Sequence, residues 1–288
     1  WTKPDGWLSV EFFAPVVPIE FVEGGVSISV SAHFKDLDME ATHTALEWDW
    51  GDGTTSTAQV INEENGEGDV KPVEHTYSDT GVYEIKLTMK DAPYLSTVVK
   101  SYKYVVIYDP SAGFVTGGGS IDSPAGAYAP DPELTGRATF GFISKFIKNG
   151  RVLELDGSTT FEFHAADFRF TSTEYDVNFL VVKENKIDGS GKAIYRGVGH
   201  LTCDADTFPD EYTVLCDPED EDYDAEKLYG FMLTAQDLDT GDMFRIQIWD
   251  GDQAAGLIYD NKIGSDPNAM DAGTLINDGS IIIQTNSK

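Results

Sequence analysis

The sequence predicts an all-β protein: one antiparallel β-sandwich followed by a second antiparallel domain of sandwich or jelly-roll type. Three observations carry this. Apolar and polar residues alternate with period two from end to end, no stretch shows a helical period, and Gly- and Asp-rich turns recur at short intervals.

In the first half, Val26, Ile28, Val30, Ala32 and Phe34 alternate with Ser27, Ser29, Ser31 and His33, which describes a strand with one buried face. Tyr83, Ile85, Leu87 and Met89 alternate with Val82, Glu84, Lys86 and Thr88 in the same way, and a further strand-like run covers Val98–Tyr108. Trp48 and Trp50 share a face and can fill a core, while Asp49 points the other way. Gly51-Asp52-Gly53 then supplies the dihedrals of a sharp reversal. Asp109-Pro110-Ser111-Ala112-Gly113 breaks the pattern and sets the domain boundary, giving domains at 15–109 and 110–288. Residues 1–14 are too apolar for a free linker, with Trp7, Leu8, Val10, Phe12 and Phe13. They are expected to add a strand or to pack on a neighbouring domain, and exchange of that strand between subunits would give self-assembly.

Asp79-Thr80-Gly81-Val82-Tyr83-Glu84-Ile85 has the spacing of strand F in an immunoglobulin-type sandwich, with Tyr83 at the tyrosine-corner position. Together with Trp48–Thr54 and His75–Tyr83, these residues closely resemble the PKD family from about Pro15 to Asp109. The resemblance implies an immunoglobulin-like sandwich, found mainly on surface and secreted proteins as a spacer or a protein- or polymer-contacting module. It makes Asp49 and Asp52 fold determinants and gives His75 a structural hydrogen bond. Ile28 or Val30 with Ile85 would stand where other sandwiches carry a disulfide. Some members of the family bind calcium at one end of the sandwich, so Asp36 and Asp38, in the loop after the second strand, become candidate ligands.

The second half repeats the strand grammar at Ala138–Phe146, Thr159–His164, Phe168–Ser172, Asn178–Lys183 and Lys192–Leu201. Further runs lie at Gly230–Ala235, Met243–Trp249, Leu257–Tyr259 and Ser280–Gln284. Gly113–Ile121, Ser123–Tyr128, Ala138–Phe142, Tyr229–Ala235, Phe244–Asp250 and Ile258–Asn261 look like a β-rich domain common near the C-termini of large bacterial secreted and surface proteins. An acidic insertion near 203–227 departs from that pattern and carries both cysteines. Asp220, Asp222 and Asp224 begin like an EF-hand, but Ala225 and Phe231 stand where glycine and glutamate are needed, so that motif is rejected. Asp237, Asp239 and Asp242 cluster at a turn as a further candidate calcium site, and Asp250, Asp252 and Asp260 form a third cluster. Turns prefer aspartate for backbone reasons alone.

Fifty acidic residues against twenty basic ones leave a formal net charge of −30. Such a surface repels phosphate backbones and anionic lipid, so nucleic acid and direct membrane insertion are poor partner assignments; it suits divalent cations or a salty medium. Cys203 and Cys216 would form a disulfide in an exported chain, worth roughly 3 kcal/mol by loop entropy, and two free thiols in a cytosolic one. No apolar run is long enough to span a membrane, and a start at Trp1 suggests a processed chain or an excised piece.

Catalytic signatures are wanting. Gly189-Ser190-Gly191-Lys192 lacks the upstream glycine of a phosphate loop, no nucleophile elbow or zinc-protease pair is present, and the five histidines are scattered. The expectation is a non-enzymatic structural or adhesive module of an extracellular or cell-surface protein, possessing protein or polysaccharide partners. Its alternative is a carbohydrate-binding accessory of a polysaccharide-degrading enzyme, drawing on Trp249, Tyr259, Tyr175 or Tyr195.

Overall fold

The computed structural model describes residues 8–285 apart from 41, 93–95, 109–112, 150–151, 186 and 203–222. Every described regular element is a strand except one 3-10 turn at His164–Ala166. The all-β expectation is therefore met. The two compact units comprise residues 1–15 with 21–105, and residues 16–20 with 106–288.

The first half contains β1 (Leu8–Phe13), β2 (Ile19–Glu20), β3 (Val26–Asp36), β4 (Thr42–Asp49), β5 (Thr55–Thr57), β6 (Val60–Glu64), β7 (Glu67–Tyr77), β8 (Gly81–Ala92) and β9 (Ser96–Tyr108). They form two sheets, β1-β3-β7-β6 and β2-β9-β8-β4-β5. Alternation decides what lies between them: Val26, Ile28, Val30, Ala32 and Phe34 of β3 are buried, as are Ile85, Leu87 and Met89 of β8. The apolar N-terminal segment takes the added-strand option, since β1 pairs antiparallel with β3 of its own chain. Phe12 meets Trp48 edge-on at 6.0 Å. β2 pairs in parallel with the end of β9, Ile19 opposite Ile107. That pairing explains why residues 16–20 group with the chain beyond Val105, and why the compact units divide inside β9, a few residues before the Asp109–Gly113 breaker.

The second half adds β10 (Gly113–Ser123), β11 (Gly136–Asn149), β12 (Val152–Phe163), β13 (Phe168–Glu184), β14 (Gly191–Thr202), β15 (Tyr229–Asp237), β16 (Met243–Trp249), β17 (Leu257–Asp260), β18 (Thr274–Leu275) and β19 (Asp278–Gln284). β10 to β17 run as an antiparallel meander, and β19 returns to pair with β10. The sheet curls so that its two halves face each other. Phe140 of β11 stacks on Phe244 of β16 at 3.9 Å, and Phe161 of β12 meets Tyr259 of β17 at 4.7 Å. The glycine-rich β10 is not among the strands that alternation marks, although Gly113–Ile121 carries the resemblance to a β-rich domain. Its glycines are there for closeness: a Cβ on Gly117 would stand 2.6 Å from the Phe142 ring. Phe168–Ser172 and Asn178–Lys183, separate in the sequence reading, are one strand interrupted by register shifts against β14.

Candidate functional sites

Three polar groups organise the molecule. The first surrounds Trp50. Its indole stacks on the His75 ring at 4.5 Å and 4°, and its Nε1–H donates to Ser56 Oγ at 3.0 Å. The Tyr77 hydroxyl donates to the Trp50 carbonyl at 2.9 Å. His75 Nε2 lies 2.8 Å from Asp52 Oδ2, while Asp52 Oδ1 accepts the Thr54 amide and hydroxyl. Burial opposes ionisation of Asp52, but the bonds from Thr54 and His75 prevail and hold its carboxyl below the usual range. Gly51 is required: its φ is 76°, and a Cβ there would stand 2.5 Å from the Glu84 carbonyl oxygen. Tyr83 makes the expected tyrosine corner, donating to the Asp79 carbonyl at 2.9 Å. Asp49 and Asp52 thus serve a turn, as the motif implies.

The second group closes one end of the first sandwich. Asp36 continues the core-facing alternation of β3, and Asp91 continues that of β8; both are buried. His43 of β4 is paired with Asp91 in the β4–β8 register. Asp36, His43 and Asp91 offer donor atoms that all lie within 4.8 Å of one another, the one such group among the described residues. His43 Nε2 is 3.0 Å from Asp36 Oδ2, and Nδ1 is 2.8 Å from Glu63 Oε1, which also accepts the His43 amide. Of the two candidate calcium ligands here, Asp36 belongs to this group and sits on the strand rather than in the following loop. Asp38 stands outside it, accepting the Glu40 amide. His43, Glu63 and Asp91 were missed by the sequence reading. The available signal was register: Asp91 occupies the next inward position after Met89.

The third group lies along the free edge of β19. The Ile281 amide donates to Asp242 Oδ2 at 2.7 Å, Ile283 to Asp237 Oδ2 at 3.1 Å, and Thr285 to Glu184 Oε2 at 2.9 Å. Alternate amides of a strand point to one edge, so three carboxylates stand in for a missing neighbouring strand. This is where Asp237 and Asp242 are placed; Asp239 is exposed on the adjoining turn. Burial, reinforced by Asp242 and Asp239 and opposed by the Ile283 amide, pushes the Asp237 carboxyl up to about 6. The folded state therefore holds this proton more tightly than the unfolded chain. Its contribution to stability is present in full below about 3.8 and is lost as pH rises through about 6. Asp237→Asn should accordingly raise the melting temperature most at pH 7.5, less at pH 5, and leave it nearly unchanged only below about 3.8, as read by thermal unfolding across that range.

Elsewhere aspartates serve turns. Asp131, Asp188, Asp224, Asp252 and Asp266 each accept the amide two residues on. Cys203 and Cys216 lie outside the described residues. Of the aromatics considered for sugar stacking, Tyr195 and Tyr259 are fully buried, and Tyr175 packs on the core with its hydroxyl 2.9 Å from Thr159 Oγ1. Trp249 lies on the opposite sheet face beside Ile194 and Met232. It borders a depression of about 390 Å³ together with Glu174, Asp176, Arg196 and Gly230. Arg196 donates to Asp176 at 2.9 Å and lies 4.4 Å over the Phe179 ring.

A two-sheet sandwich with a tyrosine corner and a Trp–His–Asp turn defines an immunoglobulin-like β module. In agreement, residues 14–99 match the family model of the PKD domain, a non-catalytic immunoglobulin-like fold common in extracellular structural and adhesion modules. Neither a curated protein nor a solved structure matches the chain. Among the described residues no helix is long and apolar enough to cross a membrane.

Proposed function

We propose that the chain is a non-catalytic structural and adhesive segment of an extracellular or cell-surface protein, acting as a load-bearing spacer. The observation that carries this is the match of residues 14–99 to the PKD domain, built around the Trp50 turn. The parallel pairing of β2 with β9 supports it. These strands stand near the two ends of the first half of the chain, so tension along the chain shears their hydrogen bonds together instead of unzipping them singly. The acidic surface keeps such a segment soluble and its partners selective. The test is mechanical: stretched by its ends, the chain should resist and then yield in a discrete event. Strand exchange through the N-terminal segment would require β1 to leave β3, and sedimentation as a monomer would exclude it.

A second reading, carbohydrate binding, is favoured by the depression at Trp249. Arg196, Asp176 and Glu174 around the rim of this depression suit the hydroxyls of a neutral sugar, to which the indole, only 9% exposed, offers an edge instead of an open face, and the two carboxylates disfavour anionic glycans. Gly230 lets the indole lie against the sheet, since a Cβ there would collide with the Trp249 ring. Retention on neutral polysaccharide columns that falls at least ~10-fold in Arg196→Ala, a change worth about 1.4 kcal/mol, would support it. Absence of retention by the parent chain would remove it.

A further inference from the structure

We propose that Asp36, His43 and Asp91 bind one divalent transition-metal ion of the zinc type, with Glu63 orienting the histidine. The proposal concerns the first sandwich alone and stands or falls independently of the adhesive reading.

The three side chains converge from separate elements. Asp36 comes from the end of β3 in one sheet, and His43 and Asp91 come from paired positions on β4 and β8 in the other. All three are buried, and their donor atoms gather within 4.8 Å. Zinc sits about 2.0–2.2 Å from imidazole and carboxylate donors, so side-chain shifts of under ~1 Å bring these three into one coordination sphere.

The surroundings of the imidazole also suit an ion. Glu63 Oε1, 2.8 Å from Nδ1 and also bonded by the His43 amide at 2.9 Å, is placed to accept a proton held on Nδ1. With the proton there, Nε2, 3.0 Å from Asp36 Oδ2, is the nitrogen left to take an ion. A carboxylate behind a histidine whose other nitrogen faces ligand oxygens is the usual supporting arrangement of a metal-bound imidazole.

Charge points the same way. Within this quartet three carboxylates surround one imidazole. Protonating the ring offsets one negative charge, whereas a divalent ion offsets two and leaves the ring neutral. In a buried setting that difference favours the ion. A nitrogen donor among carboxylates suits zinc, manganese or cobalt better than calcium, which prefers an all-oxygen shell. Asp36 also borders an open depression of about 430 Å³ with His33, Asn62, Glu64 and Glu67, which His43 and Asp91 do not line. A bound ion would tie the two sheets together at the end of the sandwich.

The experiment uses the full chain stripped with chelator and titrated with zinc chloride by calorimetry, alongside thermal unfolding. Expected is one zinc per chain and a melting temperature raised by roughly 5–10 °C at saturating metal. Asp91→Asn, which keeps the side-chain volume, should abolish that stoichiometric step. Glu63→Gln should weaken it ~10–100-fold, and Asp239→Asn should leave it intact. Imidazole nitrogen NMR of the parent chain provides a readout that needs no variant to fold: the His43 Nε2 resonance should shift on zinc addition while Nδ1 stays protonated. The proposal is overturned if no stoichiometric zinc step occurs and both His43 ring nitrogens carry protons. It is equally overturned if the step survives Asp91→Asn, or if calcium binds more tightly than zinc.

Discussion

Replacing Trp50 with alanine is expected to cost the first sandwich about 3–5 kcal/mol. The side chain is fully buried, so its removal leaves a cavity the size of an indole. It also strips the stacked partner from His75 and the neighbour at 5.9 Å from Trp48. Ser56 loses the donor to its hydroxyl. The main-chain carbonyl that accepts from Tyr77 remains, but the turn that positions it is no longer packed. Urea unfolding should show the midpoint lowered with the slope unchanged, which separates lost stability from altered compactness. Trp50→Phe should fall between the two, because it keeps a ring over His75 while losing the bond to Ser56.

The second large effect is expected at Arg245. This side chain is fully buried on the face of β16 opposite the aromatic core. It donates from Nε and Nη2 to the two oxygens of Asp260 at 2.9 and 2.8 Å, and from Nη1 to the Asp266 carbonyl at 2.8 Å. It thereby ties the chain following β17 against the sheet, where Gln247 also donates to the Pro267 carbonyl at 2.9 Å. Removing one member of such a pair strands the other charge in a dry setting. Arg245→Ala or Asp260→Ala should therefore each destabilise the second unit by about 3–5 kcal/mol. The double replacement Arg245→Met with Asp260→Leu should recover much of that loss, because an apolar pair leaves no buried charge. A double-mutant cycle in denaturant reads this directly: strong non-additivity is expected.

These cases show what the sequence disclosed and what it withheld. Period two made β3, β8 and β16 visible, and the motifs around Trp50 and Tyr83 located the turn and the corner, because each is a local pattern. β10 showed only through the resemblance carried by Gly113–Ile121, since glycines chosen for close approach to Phe142 leave no alternation to read. Asp237 and Asp242 were legible as a cluster, but their use as acceptors for β19 depends on a strand more than forty residues downstream. Asp36 was singled out, whereas His43, Glu63 and Asp91 were not, because only the stacking of two sheets brings them together. Asp260 and Arg245 fell inside recognised motifs, yet nothing local indicated that they pair.

Single-molecule stretching of the full chain by its ends tests most directly whether the first half of the chain is a mechanical module. The prediction is one sharp, cooperative event releasing roughly 30 nm, the length of some 90 residues at about 3.5 Å each, with the force reduced in Trp50→Ala. Gradual extension at low force, with no discrete event of that length, would contradict the account.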